Sequence, residues 1–111
     1  MPRTIEFTSQ DGVPFTLEYN RKVFTLAEQS GFSLLKLRDY PLAQSELIFY
    51  FGLTTNHRTI AQNKASTLFD DFLKEFELVD FMAFVSEEYE DFFSTIQPNS
   101  EPKKKLQIKN K

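Results

Sequence analysis

The chain has 111 residues, of which 41% are hydrophobic, so it fits one packed domain and is too apolar to be a disordered chain. It has no cysteine, no apolar run of about 18 residues and no apolar leader, which excludes disulfides and thiol chemistry and favours a cytosolic protein without a membrane span. The net charge of −3 divides into +1 for residues 1–67, −8 for 68–97 and +4 for 98–111, an asymmetry typical of interaction surfaces.

Residues 4–19 predict a β-hairpin. Apolar side chains alternate with polar ones on both sides of a central turn: Ile5 and Phe7, then Phe15, Leu17 and Tyr19. Asp11 and Gly12 supply a turn that tolerates positive φ. Pro14 cannot donate to a strand ladder, so it is expected at the start of the second strand.

Four main helices are predicted after the hairpin, over about residues 21–30, 41–54, 59–75 and 78–96. Asn20 can cap the first helix, and Gly31 suits the left-handed position after its end. Pro41 suits the first turn of the second helix. The third helix is expected to begin near Arg58 or Thr59.

The segment between the first two helices is short and rich in leucine. Residues 33–37 predict at most one turn of helix, whose leucines are expected to seal the edge of the core: Leu34, Leu35 and Leu37. The next helix is apolar on all sides at residues 47–51, which suits a central helix, and Gly52 weakens its end.

The last two helices each carry an apolar stripe of helical period, namely Ala61, Ala65, Leu68, Phe69, Phe72, Leu73 and Phe76, then Leu78, Phe81, Met82, Val85, Tyr89, Phe92, Phe93 and Ile96. The carboxylates of this segment fall mainly off the second stripe: Glu87, Glu88, Glu90 and Asp91. Phe84 also falls off this stripe and is a candidate exposed aromatic residue.

The expected fold class is α+β and mainly α, with a hairpin followed by a compact bundle of about four helices. Residues 1–97 are predicted to form a single globular domain, and 98–111 a flexible Lys-rich tail.

No set of residues favours catalysis. His57 is the only histidine, and a solvent-exposed loop histidine is favoured over a general base. The pair Asp70 and Asp71 and the acidic run 87–91 lack the spacing of a calcium loop and suit a solvated helix face. We therefore expect a protein that is not an enzyme and has no cofactor and no metal.

Lysines cluster only in the predicted tail, at positions 103–105, 109 and 111. Such a cluster can make weak, salt-sensitive phosphate contacts, but a solubilising end is favoured. We expect neither nucleic acid nor a membrane as a partner.

From Leu68 to Phe93, seven phenylalanines are interleaved with nine carboxylates. Most of these rings are expected in the core, but the chain offers more large rings than so small a body easily covers, and an exposed surplus would form a protein interface. The residues expected at a partner-binding or self-association surface are Phe81, Phe84, Glu88, Phe92 and Phe93. Charging Phe84 would then weaken association and leave the fold intact.

Four segments carry a resemblance to a known family: FTLEYNRKVFTLAEQSGFSLLKL (15–37), DYPLAQSELIFYFGLTTNH (39–57), KASTLFDDFLKEF (64–76) and LVDFMAFVSEEYEDFF (78–93). In their order and spacing, and with the Lys-rich end that follows, they resemble the tail assembly chaperones of long-tailed bacteriophages of Gram-positive bacteria. The resemblance covers nearly all of residues 4–96.

The resemblance implies a small, mainly helical, non-enzymatic protein of the host cytoplasm that is absent from the mature virion. Such chaperones bind the tape measure protein and hold it soluble while tail tube subunits polymerise around it, and they tend to self-associate as homo-oligomers. Many also exist in a longer form made by ribosomal frameshifting, for which the codons of Lys103–Lys105 are a candidate slippery site. The alternative is a small acidic interaction module of another kind, such as a phage-encoded inhibitor or a nucleic-acid mimic.

Overall fold

The computed structural model describes the backbone of residues 3–96 and the side chains of residues 3–92. Within these residues the chain forms an antiparallel hairpin followed by five helices: β1 (Thr4–Thr8), β2 (Pro14–Glu18), α1 (Arg21–Gln29), α2 (Leu34–Asp39), α3 (Pro41–Leu53), α4 (Gln62–Glu75) and α5 (Leu78–Ile96). The predicted α+β, mainly helical fold is confirmed. The tail predicted for residues 98–111 lies outside the described residues.

The hairpin has the predicted turn and register. Gly12 adopts φ +83° in the turn, and Pro14 is the first residue of β2, opposite Thr8. Phe7 pairs with Phe15 across the ladder. Because an isolated two-stranded ribbon is only marginally stable in water, its apolar face needs cover, and β2 packs on α3 while β1 packs on α4.

Local signals set the ends of α1 as predicted. The Oδ1 of Asn20 accepts a hydrogen bond from the backbone N–H of Val23 at 2.8 Å. Gly31 follows the helix with φ +107°, and the N–H of Phe32 donates to the carbonyl of Ala27 at 2.9 Å.

The two segments around α3 differ from prediction. The leucine-rich segment forms six residues of helix, α2, in which Leu37 is buried, Leu34 is half-buried and Leu35 is 82% exposed. Leu35 therefore does not seal the core, because it points about 100° away from Leu34 around the helix. The next helix, α4, begins at Gln62 rather than near residue 59, since Ile60 first packs against the core.

The core surrounds α3, which contacts β2 and all four other helices. The ring of Phe49 lies at its centre, 5.1–6.2 Å from four other phenylalanine rings: Phe7, Phe69, Phe72 and Phe81. The prediction of a central helix is therefore correct, and aromatic pairs at these separations add to the stabilisation from burial.

Ser45 lies on α3 and is fully buried, and its Oγ has no hydrogen-bond partner within the described residues. An unpaired buried hydroxyl costs about 1–3 kcal/mol. We expect Ser45→Ala to raise the free energy of unfolding by about 1 kcal/mol, measured by urea denaturation. A matched Ser66→Ala control should instead be neutral or destabilising, because Ser66 donates a hydrogen bond to Glu46 at 2.6 Å. A loss of stability in Ser45→Ala would contradict this expectation.

Candidate binding groove

Two of the interface residues predicted on α5, Phe81 and Phe84, pack inward. Phe81 is a core residue, 1% exposed. Phe84 is half-buried, with its ring centre 6.2 Å from that of Tyr19 and the guanidinium of Arg3 4.9 Å above it. Phe84 is thus not the exposed aromatic that was predicted. A charge at position 84 is now expected to disturb the packing of Arg3 and Tyr19 on α5. This expectation replaces the prediction that the fold would stay intact.

Glu88 is 3% exposed and therefore does not lie on the solvated helix face that was predicted for the acidic run 87–91. It follows Phe81 and Val85 at helical spacing, so it faces the same way as these core residues. Arg3 compensates its charge: Nε donates to Glu88 at 2.8 Å, and Nη2 donates to Glu87 at 3.1 Å. These bonds join the start of β1 to α5.

Two pKa values reflect this arrangement. The hydrogen bonds to Glu88 and then to Glu87 raise the pKa of Arg3 above its ordinary value. Burial, with a smaller contribution from the charge of Glu88, raises the pKa of Tyr19 well above its ordinary value. Arg3 therefore keeps its charge and Tyr19 stays neutral throughout the physiological pH range.

Phe92, a further predicted interface residue, is not an exposed ring either. Phe92 is half-buried, with its ring centre 6.0 Å from that of Phe24. The side chain of Phe93 lies outside the described residues. None of the twelve phenylalanines in residues 3–92 is exposed, so the described rings serve the core.

Two of the polar residues considered for catalysis or metal binding, His57 and Asp71, have structural partners. His57 is half-buried: its Nε2 accepts a hydrogen bond from the N–H of Thr16 at 3.2 Å, and its ring centre lies 4.9 Å from that of Phe15. It is therefore not the exposed loop histidine that was predicted. Asp71 is buried and accepts a hydrogen bond from the N–H of Gln10, which ties the hairpin turn to α4.

The described part of the chain offers neither a metal site nor a membrane span. It contains no group of three or more histidine or carboxylate residues placed to hold a metal ion. None of its helices is both long and apolar enough to cross a membrane.

The exposed apolar surface is mainly aliphatic. The large apolar residues exposed within the described chain are Val13, Leu26, Leu35, Tyr40, Leu42 and Val79. Two of them, Leu35 on α2 and Val79 on α5, line one groove of about 430 Å³ between these helices. This volume is within the range of about 300–1,000 Å³ that is common for concave binding sites.

Each wall of the groove is one face of a helix. The α2 wall consists of Leu34, Leu35, Leu37 and Arg38, and the α5 wall of Val79, Met82, Ala83, Ser86 and Glu90. The α5 residues follow one another at i, i+3, i+4, i+7 and i+11, which places them on one face of the helix. Ala83 and Ser86 are small and leave space between the larger side chains.

This second stripe was not predicted from the sequence, because Met82 was assigned to the core stripe. The available signal was the helical spacing of Val79, Met82 and Ala83, which runs beside the stripe of Phe81 and Val85. Leu35 gave no comparable signal, since three leucines in a segment of five residues do not indicate which of them is exposed.

Two smaller concavities have volumes of about 270 and 280 Å³, the first between α3 and α4 and the second between α1 and residues 54–58. Polar and charged side chains contribute much of their lining, including Glu46, Gln62 and Ser66 in the first and Asn20, Lys22 and Arg58 in the second. The groove between α2 and α5 is therefore the best candidate for an apolar ligand surface in the described structure.

Together, the fold and the groove define a small, mainly helical domain that exposes aliphatic side chains along a cleft between two helices. The chain belongs to the family described as a domain of unknown function, DUF5055, whose match covers residues 1–111. No curated protein and no solved structure matches the chain.

Proposed function

We propose that this protein is a phage tail assembly chaperone, which binds the tape measure protein and keeps it soluble while tail tube subunits assemble around it. The observation that carries the proposal is the groove, where Leu35 is 82% exposed and Val79 is 66% exposed. Exposed apolar surface of this kind is typical of protein interaction sites. The sequence resemblance to the chaperone family supplies the identity of the partner.

The groove suits an amphipathic helix as its ligand. Its aliphatic walls match the apolar stripe of such a helix, as in other helix-in-groove complexes. Met82 adds a flexible side chain that adapts to different apolar partners. A long, aggregation-prone client with repeated amphipathic helices is the kind of partner that this surface would hold.

The acidic surface has a supporting role in the proposal. Exposed carboxylates on α4 and α5 include Asp70, Glu75, Asp80, Glu87 and Glu90. Their charge would keep a complex with an apolar client soluble and would attract basic segments of a partner. On this proposal the protein acts in the host cytoplasm as a binding protein and not as an enzyme, with the tail tube protein and further copies of itself as additional partners.

We expect Leu35→Glu to reduce client solubility sharply. The charge would remain in the groove when a helix docks, so the soluble fraction of the client should fall at least about tenfold, the effect of one hot-spot residue. The measurement is co-expression with the tape measure protein of the same genome, followed by quantification of that protein in the supernatant. The fold should persist, because substitutions at exposed sites usually change stability by less than about 0.5 kcal/mol.

Leu42→Glu is the matched control, since Leu42 is 61% exposed and does not line the groove. It should hold the client as well as the wild-type protein. If the client is as soluble with Leu35→Glu as with the wild-type protein, the groove is excluded as the client site. Failure of the wild-type protein to raise the soluble fraction would exclude the chaperone function itself.

A second candidate is a small acidic interaction module, such as an inhibitor or a nucleic-acid mimic. It is favoured by the net charge of −8 over residues 68–97. Gene order separates the two candidates: a tail tube gene upstream and a very long tape measure gene downstream support the chaperone. A position among early regulatory genes would support the acidic module.

A further inference from the structure

The two walls of the groove carry opposite charges. Arg38 lines the groove on α2 and Glu90 lines it on α5, and both side chains are exposed. Neither forms an ion pair within the described residues, where the ion pairs instead join Arg3 to Glu87 and Glu88, and Lys74 to Asp71. Both charges are therefore available to a ligand that occupies the groove.

The helices that form the walls also differ in overall charge. The helix α2 contains Lys36 and Arg38 against Asp39, for a net charge of +1. The helix α5 contains no basic residue and carries five carboxylates, for a net charge of −5: Asp80, Glu87, Glu88, Glu90 and Asp91. Arg3 pairs with Glu87 and the buried Glu88, and its charge brings this value to −4, which is still opposite in sign to that of α2.

We propose that the groove binds an amphipathic client helix in one direction, with an acidic border of the helix along α2 and a basic border along α5. The inference rests on the proposed function, since it specifies how a client helix would lie in the same groove. A helix that is turned end for end keeps its apolar stripe in the groove but exchanges its two borders between the walls. The reversed helix would place its basic border beside Arg38 and its acidic border beside Glu90.

The groove is long enough to define a direction. Val79 and Glu90 are eleven residues apart on α5, which corresponds to about 17 Å, or about three helical turns. Charges at the rim of an interface mainly determine specificity, because like charges that face each other are disfavoured and opposite charges add only modest affinity. We therefore expect the two directions to differ in population by roughly threefold to tenfold.

The direction can be measured as a distance between two spin labels. The chain contains no cysteine, so Glu77→Cys introduces a single labelling site just before α5, near the Val79 end of the groove. The ligand is a synthetic helical peptide of about 18 residues with a leucine stripe, a glutamate border and a lysine border, labelled at one terminus. Its two ends are about 27 Å apart, so the two directions give clearly separate distances.

In the labelled protein, one distance should dominate by roughly threefold to tenfold at low salt. The double variant Arg38→Glu/Glu90→Arg should invert the ratio, and Arg38→Gln/Glu90→Gln should bring it near one. A peptide with exchanged borders should lie in the opposite direction in the wild-type groove. The preference should weaken in 1 M salt, where the screening length is about 3 Å.

Equal populations in the wild-type groove, or an unchanged ratio in the charge-exchanged variant, would overturn the directional inference and leave the chaperone function standing. A correct directional preference in a protein that fails to solubilise the tape measure protein would instead refute only the function. Two further outcomes would show that the groove has another occupant and would overturn the inference. A homodimer that excludes the peptide and that Leu35→Glu dissociates would identify a second copy of the chain as the occupant. A gain in peptide affinity of tenfold or more on removal of residues 98–111 would identify that segment as the occupant.

Discussion

Replacing Phe72 with alanine is expected to lower the free energy of unfolding by about 3–5 kcal/mol. Phe72 is fully buried on α4, and its ring centre lies 4.9–5.4 Å from those of four other phenylalanines: Phe7, Phe49, Phe76 and Phe81. Its removal would open a cavity where β1, α3, α4 and α5 meet. For a domain of this size, the loss corresponds to a fall in Tm of more than about 10 °C, measured by circular dichroism.

Phe76→Ala is the control for this prediction. Phe76 lies one turn further along the chain and stacks on Phe72 at 4.9 Å, but it is only half-buried and lies at the end of α4. Its replacement should cost clearly less, because solvent can fill part of the space that the ring leaves. Equal losses of stability in the two variants would contradict the prediction that the buried ring of Phe72 contributes more than that of Phe76.

Gly52→Ala is expected to destabilise the domain by about 1–3 kcal/mol, although alanine is intrinsically the better helix former. A Cβ at position 52 would overlap the ring and hydroxyl of Tyr19, well inside the distance of an ordinary van der Waals contact. Tyr19 cannot easily move away, because it is fully buried and its hydroxyl donates a hydrogen bond to the carbonyl of Ile48 at 2.8 Å. The measurement is the urea midpoint of the variant and the wild-type protein.

A second background identifies the cause of this effect. In Tyr19→Leu, the smaller side chain leaves room for a Cβ, so adding Gly52→Ala should cost much less or should stabilise. The difference between the two backgrounds measures the coupling between the two positions. An equal cost in both backgrounds would mean that Tyr19 is not the obstacle and would contradict the prediction.

The sequence predicted Gly52 only as a weak point at the end of a helix, whereas the structure gives it a packing role. The difference arises because Tyr19 is 33 positions away along the chain, and helix propensity contains no information about that neighbour. The same limitation applies to Glu88. Its burial depends on its position beside Phe81 and Val85 and on Arg3, which is 85 residues away and compensates its charge.

The residues predicted for an interface lie on the same helix as one wall of the groove, but on another face of that helix. Phe81 and Phe84 were expected at an interface because phenylalanine is abundant on α5, yet the domain covers every described phenylalanine ring. The exposed large apolar residues that line the groove are instead the aliphatic Leu35 and Val79. Composition indicated that this segment carries more apolar surface than usual, but it did not indicate which side chains the neighbouring helices leave uncovered.

By itself, the sequence determined the order and type of the elements and most of their ends, because short-range interactions control these features. Asn20 caps its own helix, Gly12 and Gly31 adopt the positive φ that their turns require, and Pro41 starts α3. The sequence also predicted most of the stripe of α5 that enters the core, and only the tertiary structure decided that a second face of this helix stays uncovered and forms the groove with α2. Two apolar stripes share that helix, and the packing of α3 and the N-terminal segment covers only one of them.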